Sequence, residues 1–197
     1  MGDGIRIGVF GGTFDPPHIG HQQVAQEVAE GAELDRVVWV PAGIPPHKQA
    51  DAITSGVIRG EMVRAALEGN PRFEFSDSEL SRSGLSYTVD TLRLLKEGDP
   101  NCSLALIVGA DQLADFHRWR HPETIASLAE LLTVSRDGDL PLTVEGFPEL
   151  RFRPVPVTRI DISASLIRHR IAQGKSVRYM VPDAVSSIIE REQLYRS

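Results

Sequence analysis

Apolar residues cluster in short stretches of this chain, and between those stretches they recur every third or fourth position. The apolar runs at 5–10, 37–40, 104–108 and 131–134 read as buried strands, with weaker candidates at 72–75 and 151–155. Helical spacing links Val24, Ala25, Val28 and Ala29, then Met62, Val63, Ala66 and Leu67, then Val89, Leu92 and Leu95. Gly31, Gly69 and Gly98 follow these stretches and are each placed to end a helix in a left-handed turn. Strands alternating with helices of this length predict an α/β protein with a parallel sheet covered on both faces. The tail departs from the alternation. Residues 162–173 and 184–192 read as two helices, Pro182 near the start of the second, forming a small helical cap on the same domain. Long connections fall at 42–56, with Pro45-Pro46, at 76–87, rich in Ser and Gly, and at 135–150, where Arg136 is the one residue of chemical interest.

The 197 residues suffice for one domain, 1–197, with a substantial core. A formal charge of −6 argues against a surface that coats nucleic acid, though it leaves room for a local site for small anions. Cys102 is the only cysteine, so neither an intrachain disulfide nor a thiolate metal cluster can form, and a free thiol suits a reducing compartment. No apolar run approaches the roughly 20 residues needed to cross a bilayer. The start Met1-Gly2-Asp3-Gly4-Ile5-Arg6 has neither a signal-like apolar core nor the Ser or Thr of a myristoylation motif at its sixth position. The expectation is a cytoplasmic protein without membrane or nucleic-acid partners. The sequence is compatible with a homo-oligomer but does not specify one.

The chemistry concentrates in Gly11-Gly12-Thr13-Phe14-Asp15-Pro16-Pro17-His18-Ile19-Gly20-His21, directly after the first apolar run. This reads as a strand, a glycine turn, and a helix opening on two histidines that begin its sheet-facing stripe. A helix start offers unpaired N–H groups and the positive end of the macrodipole, so it favours an anion such as phosphate. Gly11 and Gly12 are expected to let backbone approach a ligand, and Gly20 to keep the space between the imidazoles open. A zinc site lacks a clear third ligand, and neither a G-x-x-x-x-G-K-[ST] loop nor a G-x-G-x-x-G fingerprint is present. Two further features read locally: Ser163 is a good N-cap, and Gly109 and Asp111 follow a strand at the carboxyl edge where open α/β sheets bind ligands.

G-G-T-F-D-P-P-H-I-G-H resembles the signature of the H-x-G-H nucleotidylyltransferases. The ordered blocks Pro41-Ala42-Gly43-Ile44-Pro45-Pro46-His47-Lys48, Ser86-Tyr87-Thr88-Val89-Asp90-Thr91-Leu92, Gly109-Ala110-Asp111 with Trp119, Ile162-Ser163-Ala164-Ser165-Leu166-Ile167-Arg168 and Tyr179-Met180-Val181-Pro182 resemble those of bacterial nicotinate-nucleotide adenylyltransferases. The resemblance implies a Rossmann-like doubly wound sheet and adenylyl transfer from ATP to nicotinate mononucleotide, giving deamido-NAD and pyrophosphate in NAD biosynthesis. It implies His18, His21, Lys48 and Arg168 as catalytic residues. ATP would meet Gly11, Gly12, Thr13, Phe14, His18, His21, Gly109, Asp111, Ile162, Ser163, Ser165 and Arg168. Nicotinate mononucleotide would meet Thr13, Lys48, Tyr87, Thr88 and Trp119, the indole stacking on the pyridine ring. Ser165 stands where the family usually has Thr. Mg²⁺ is expected on the substrate phosphates, with no protein carboxylate pair dedicated to it. Tyr179 and Cys102 are read as structural. The rival readings are another H-x-G-H transferase, acting on phosphopantetheine or a phospho-alcohol, and a sensor that binds nucleotides without turnover.

Overall fold

A computed structural model describes residues 4–44, 53–134 and 144–196. Six strands form one parallel sheet: β1 (Arg6–Gly12), β2 (Arg36–Pro41), β3 (Phe73–Phe75), β4 (Ser103–Gly109), β5 (Ala129–Val134) and β6 (Phe152–Pro154). Their order across the sheet is β3-β2-β1-β4-β5-β6, the doubly wound arrangement. The registers Gly12↔Pro41 in β1–β2 and Gly109↔Val134 in β4–β5 bring the carboxyl ends of the central strands to one edge. The direction of winding reverses between β1 and β4, and an open α/β sheet leaves a crevice at such a point.

The four central strands are largely apolar because both of their faces are covered. One face carries Ile7, Val9, Val38, Val40, Leu104, Leu106, Val108 and Leu131 under α3 (Thr88–Gly98) and α5 (Pro122–Leu128). The other carries Val37, Trp39, Ala105, Ile107 and Leu132 against Ala25, Val28 and Ala29 of α1 (Ile19–Gly31) and Val63 of α2 (Gly56–Leu67). Burying each Val, Leu or Ile side chain among these stabilises the fold by about 1.5–3 kcal/mol.

The tail helices α6 (Ala164–Ala172) and α7 (Asp183–Arg191) pack on α2. Ile167, Val185, Ile188 and Ile189 meet Met62 and Ala66 there. Two elements lay below what periodicity predicts: α4 (Ala110–Ala114), only 5 residues long, and a single 3-10 turn at Phe116–Arg118.

The expected glycine stops hold in one case of three. Gly69 has φ +85° just beyond α2, whereas Gly31 and Gly98 are the last residues of α1 and α3 and lack positive φ. After α1 the left-handed position falls to Glu33, at φ 53°. Cys102 is buried as expected, but Tyr179 is 80% exposed at φ 66° and fills no core position.

Candidate active site

The first turn of α1 is built around its two histidines. His18 is the N-cap residue, in extended backbone, and its side chain is 2% exposed. One turn on, His21 stacks on it with ring centroids 3.6 Å apart and planes inclined by 23°. The His18 backbone N–H donates to Nδ1 of His21 at 3.2 Å. An amide can only donate, so Nδ1 accepts, and neutral His21 carries its proton on Nε2. The His21 ring is edged by Phe14 at 5.1 Å and Phe10 at 6.1 Å, both of which pack on Trp39.

Part of the helix start is already occupied: the Ile19 N–H donates to the Met180 carbonyl at 3.1 Å, and the His21 and Gln22 amides turn back to the His18 carbonyl. An anion here therefore depends on the imidazoles more than the sequence suggests. The two glycines of the turn also differ. A Cβ on Gly11 would meet nothing within 4 Å, leaving that face open to a ligand, but one on Gly12 would sit 2.9 Å from the Phe14 ring. Gly12 also makes room for Phe14, while remaining in the wall of the cavity beside the site. Gly20 makes room for the His18 ring, since a Cβ there would lie 3.1 Å from its Nδ1, but the imidazoles stack at 3.6 Å and leave no open space between them, which corrects the expectation.

A second helix start faces the first. Ser163 caps α6, its Oγ accepting from the Leu166 N–H at 3.2 Å, and the Ile162 carbonyl lies 3.8 Å from where a Gly20 Cβ would stand. Arg168, half-buried one turn further, donates from Nη1 to the Asp15 carbonyl at 2.7 Å and from Nη2 to Ser165 Oγ at 3.2 Å. His18, His21, Gly20, Ile162, Ser163, Ser165 and Arg168 thus form one group.

The crevice beside it is a cavity of about 690 Å³, lined by Gly11, Gly12, Thr13, Tyr87, Thr88, Asp111 and Trp119 among others. Asp111 does not cap α4. The Gly109 amide donates to Gln112 Oε1 at 3.1 Å, and a Cβ on Gly109 would sit 2.5 Å from Oδ1 of Asp111. Trp119 is half-buried against Phe116, and the Arg120 guanidinium lies 4.5 Å from the Tyr87 ring centroid. Lys48, like Arg136, lies outside the described residues.

Sequence reasoning missed the groups that hold these loops. Arg59 in α2 is 1% exposed and donates to three carbonyls: Thr54 at 2.9 Å, Thr13 at 2.9 Å and Gly43 at 3.0 Å. Burial pulls its guanidinium below the usual range, and the neighbouring Asp15 charge opposes that shift. Asp15 accepts from the Thr54 N–H and from the Tyr195 hydroxyl. Glu79, 8% exposed at the cavity wall, accepts from Thr91 Oγ1 at 2.5 Å and from the Ser86 hydroxyl. Burial raises its carboxyl above the usual value, while Thr91, Ser86 and Arg82 hold it back. The available signal was phase: Arg59 lies on the same helical stripe as Met62, Val63 and Ala66, where a charge needs partners.

Among the described residues no group of three or more His, Cys, Asp or Glu is arranged to hold a metal ion. The donors gathered at the site are imidazoles, hydroxyls and a guanidinium, which do not suit a resident hard divalent cation. No helix of the described residues is long and apolar enough to cross a membrane.

A doubly wound parallel sheet with a histidine pair at its switch-point helix is the design of a nucleotidylyltransferase, and a family model described as cytidylyltransferase-like matches residues 9–170. A probable nicotinate-nucleotide adenylyltransferase of Roseiflexus sp. (strain RS-1) is 46% identical over 195 residues, covering 96% of this chain and 98% of its own. Another, of Shouchella clausii, is 43% identical over 190 residues and 96% of each chain. The chain belongs to the nicotinate-nucleotide adenylyltransferase family. Among solved structures, the Plasmodium falciparum nicotinic acid mononucleotide adenylyltransferase complexed with NaAD superposes over 97% of each chain with a TM-score of 0.79. Its identity of 19% makes that a likeness of fold.

Proposed function

We propose that this protein transfers the adenylyl group of ATP to nicotinate mononucleotide, giving deamido-NAD and pyrophosphate in NAD biosynthesis. The observation that carries this reading is the stacked His18–His21 pair opening beside the cavity that holds Tyr87, Thr88 and Trp119. Residues 1–197 act as a single nucleotidylyltransferase domain, with 162–197 as its helical subregion.

In the reaction an oxygen of the mononucleotide phosphate attacks the α-phosphorus of ATP. A new P–O bond forms in line as the bond from that phosphorus to the bridging oxygen breaks, and pyrophosphate leaves with the bond's electron pair. No side chain acts as a nucleophile, so the protein must align two anions that repel each other and stabilise the charge that moves. The Nε2–H of His21 donates to the α-phosphoryl group and His18 stands beside it. Arg168, with Ser165 and the capped start of α6 at Ile162 and Ser163, takes the departing phosphates. Thr13 and the backbone of Gly11, Gly12 and Phe14 line the seam between the substrates, and Gly109 and Asp111 receive ribose hydroxyls. Tyr87 and Thr88 receive the nicotinate carboxylate, Trp119 stacks on the pyridine ring, and Lys48 neutralises phosphate oxygens as a point charge. Mg²⁺ enters on the oxygens of ATP, as part of the substrate. The buried free thiol of Cys102 and the acidic balance of the chain fit a cytoplasmic enzyme of small molecules.

The test is pyrophosphate release with ATP and Mg²⁺, comparing nicotinate mononucleotide, nicotinamide mononucleotide and phosphopantetheine. Release is expected with the nicotinate substrate. Release with none of the three, or with phosphopantetheine alone, overturns the assignment.

A further inference from the structure

The last residues of the chain reach the nucleotide site. Tyr195 is half-buried, and its hydroxyl donates to Asp15 Oδ1 at 2.5 Å across 180 positions of sequence. Both Gln193 (φ 51°) and Tyr195 (φ 61°) adopt the left-handed backbone that side chains of this kind rarely occupy. Two such residues so close together need something to hold them, and the hydroxyl–carboxylate bond does so. Asp15 is 5% exposed, and its Oδ2 accepts from the Thr54 N–H at 3.2 Å. The Thr54 hydroxyl also lies 3.4 Å from the Tyr195 oxygen. Arg59 compensates the buried carboxylate while tying the carbonyls of Thr13, Gly43 and Thr54 together. The consequential contact is on the backbone, where the carbonyl of this same Asp15 receives Nη1 of Arg168 at 2.7 Å. The carboxylate and the carbonyl that holds Arg168 share one Cα, so the bonds that pin the Asp15 side chain also restrict the backbone beneath the guanidinium.

We propose that Tyr195 is a positioning residue for the nucleotide: through Asp15 it fixes the carbonyl that orients Arg168 toward the triphosphate. The C-terminal turn is thereby part of the ATP site without touching ATP. This rests on the reading of Arg168 as a triphosphate contact, and the experiment separates the two. Y195F, R168A and the double variant are compared by steady-state pyrophosphate release, varying each substrate in turn, with thermal melting as a check on folding. Y195F keeps the ring and removes only the bond. It is expected to raise KM for ATP about tenfold, the scale of one lost hydrogen bond to a charged group, with KM for nicotinate mononucleotide within twofold. Adding Y195F to R168A should change little, because the bond acts through the guanidinium. D15N perturbs the same bond from its other end and should show the same selectivity for ATP if Y195F folds poorly. Should R168A weaken ATP while both Y195F and D15N leave its KM within twofold, the positioning role is wrong and the site reading stands. Equal rises in KM for both substrates, or additive effects in the double variant, also overturn it. If R168A itself leaves KM for ATP within twofold, both inferences fall.

Discussion

Replacing Gly20 with alanine should lower both stability and turnover. A glycine in the middle of a helix costs roughly 0.5–1 kcal/mol relative to alanine, but Gly20 is only the second residue of α1, so the backbone gain of G20A is smaller than that. The new Cβ would, however, stand 3.1 Å from Nδ1 and 3.2 Å from Cε1 of His18, a few tenths of an ångström inside comfortable contact. His18 has nowhere to withdraw: its ring is 2% exposed and stacked 3.6 Å from His21, which is itself edged by Phe14. The imidazole pair must shift together, and overpacking a closed site of this kind costs about 1–3 kcal/mol, which outweighs the backbone gain and lowers Tm. A misplacement of about 1 Å costs on the order of 100-fold in rate, so a few tenths should cost about three- to tenfold in kcat, or roughly 0.7–1.4 kcal/mol of barrier. The assay is pyrophosphate release at saturating ATP and nicotinate mononucleotide, beside thermal melting of the same preparations. A variant with raised Tm and kcat within 1.5-fold of the parent would refute the reasoning, since the imidazole position would then be either free to adapt or unused. A fall in Tm with unchanged kcat would show that the pair moves without consequence for turnover, and would refute that half.

Three further outcomes follow from the site. H21A should lower kcat by about 10²–10³, the loss of one preorganised donor, and turnover within threefold of the parent would make His21 structural. W119A should raise KM for nicotinate mononucleotide about tenfold while leaving KM for ATP nearly unchanged; comparable changes for both substrates would deny the stacking role. Glu79 supplies a pH dependence. Its folded-state value is raised above the ordinary 4.5, chiefly by burial, so the stability it contributes is full below that pH and is lost as pH rises through the raised value. E79Q mimics the protonated form, so the Tm of E79Q minus that of the parent should increase with pH across this window. A difference that does not vary with pH, measured by melting from acid to neutral conditions, would show that Glu79 ionises in the folded state as easily as in the unfolded one.

What could be read from the sequence follows the range of the interactions. The four central strands are legible because a strand buried on both faces must be apolar throughout, as Leu104 to Val108 are, all 4% exposed or less. Strand ends are less so: β1 and β4 run on through Gly11-Gly12 and Gly109, where no side chain marks continued pairing. The histidine pair was visible because its geometry is local, one turn of helix after a glycine turn. The small elements between β4 and β5 escaped because α4 and the 3-10 turn are shorter than the window in which helical periodicity registers. The deeper omission is the lock beneath the site. Arg59 and Arg64 look alike in a string of letters, yet the first is 1% exposed and the second has a side chain 57% exposed. What distinguishes them is a set of carbonyls at 13, 43 and 54, brought together only when β1, β2 and α2 have packed. A buried charge is tolerable only with such partners, so its cost is fixed by tertiary structure and its position can be read only as a conflict, a charge in the phase of an apolar stripe. Conflicts of this kind are the sequence's most useful trace of long-range architecture. In this chain Arg59 marks the point where the phosphate turn, both stems of the loop between β2 and α2 and, by way of Asp15, the C-terminal turn are joined.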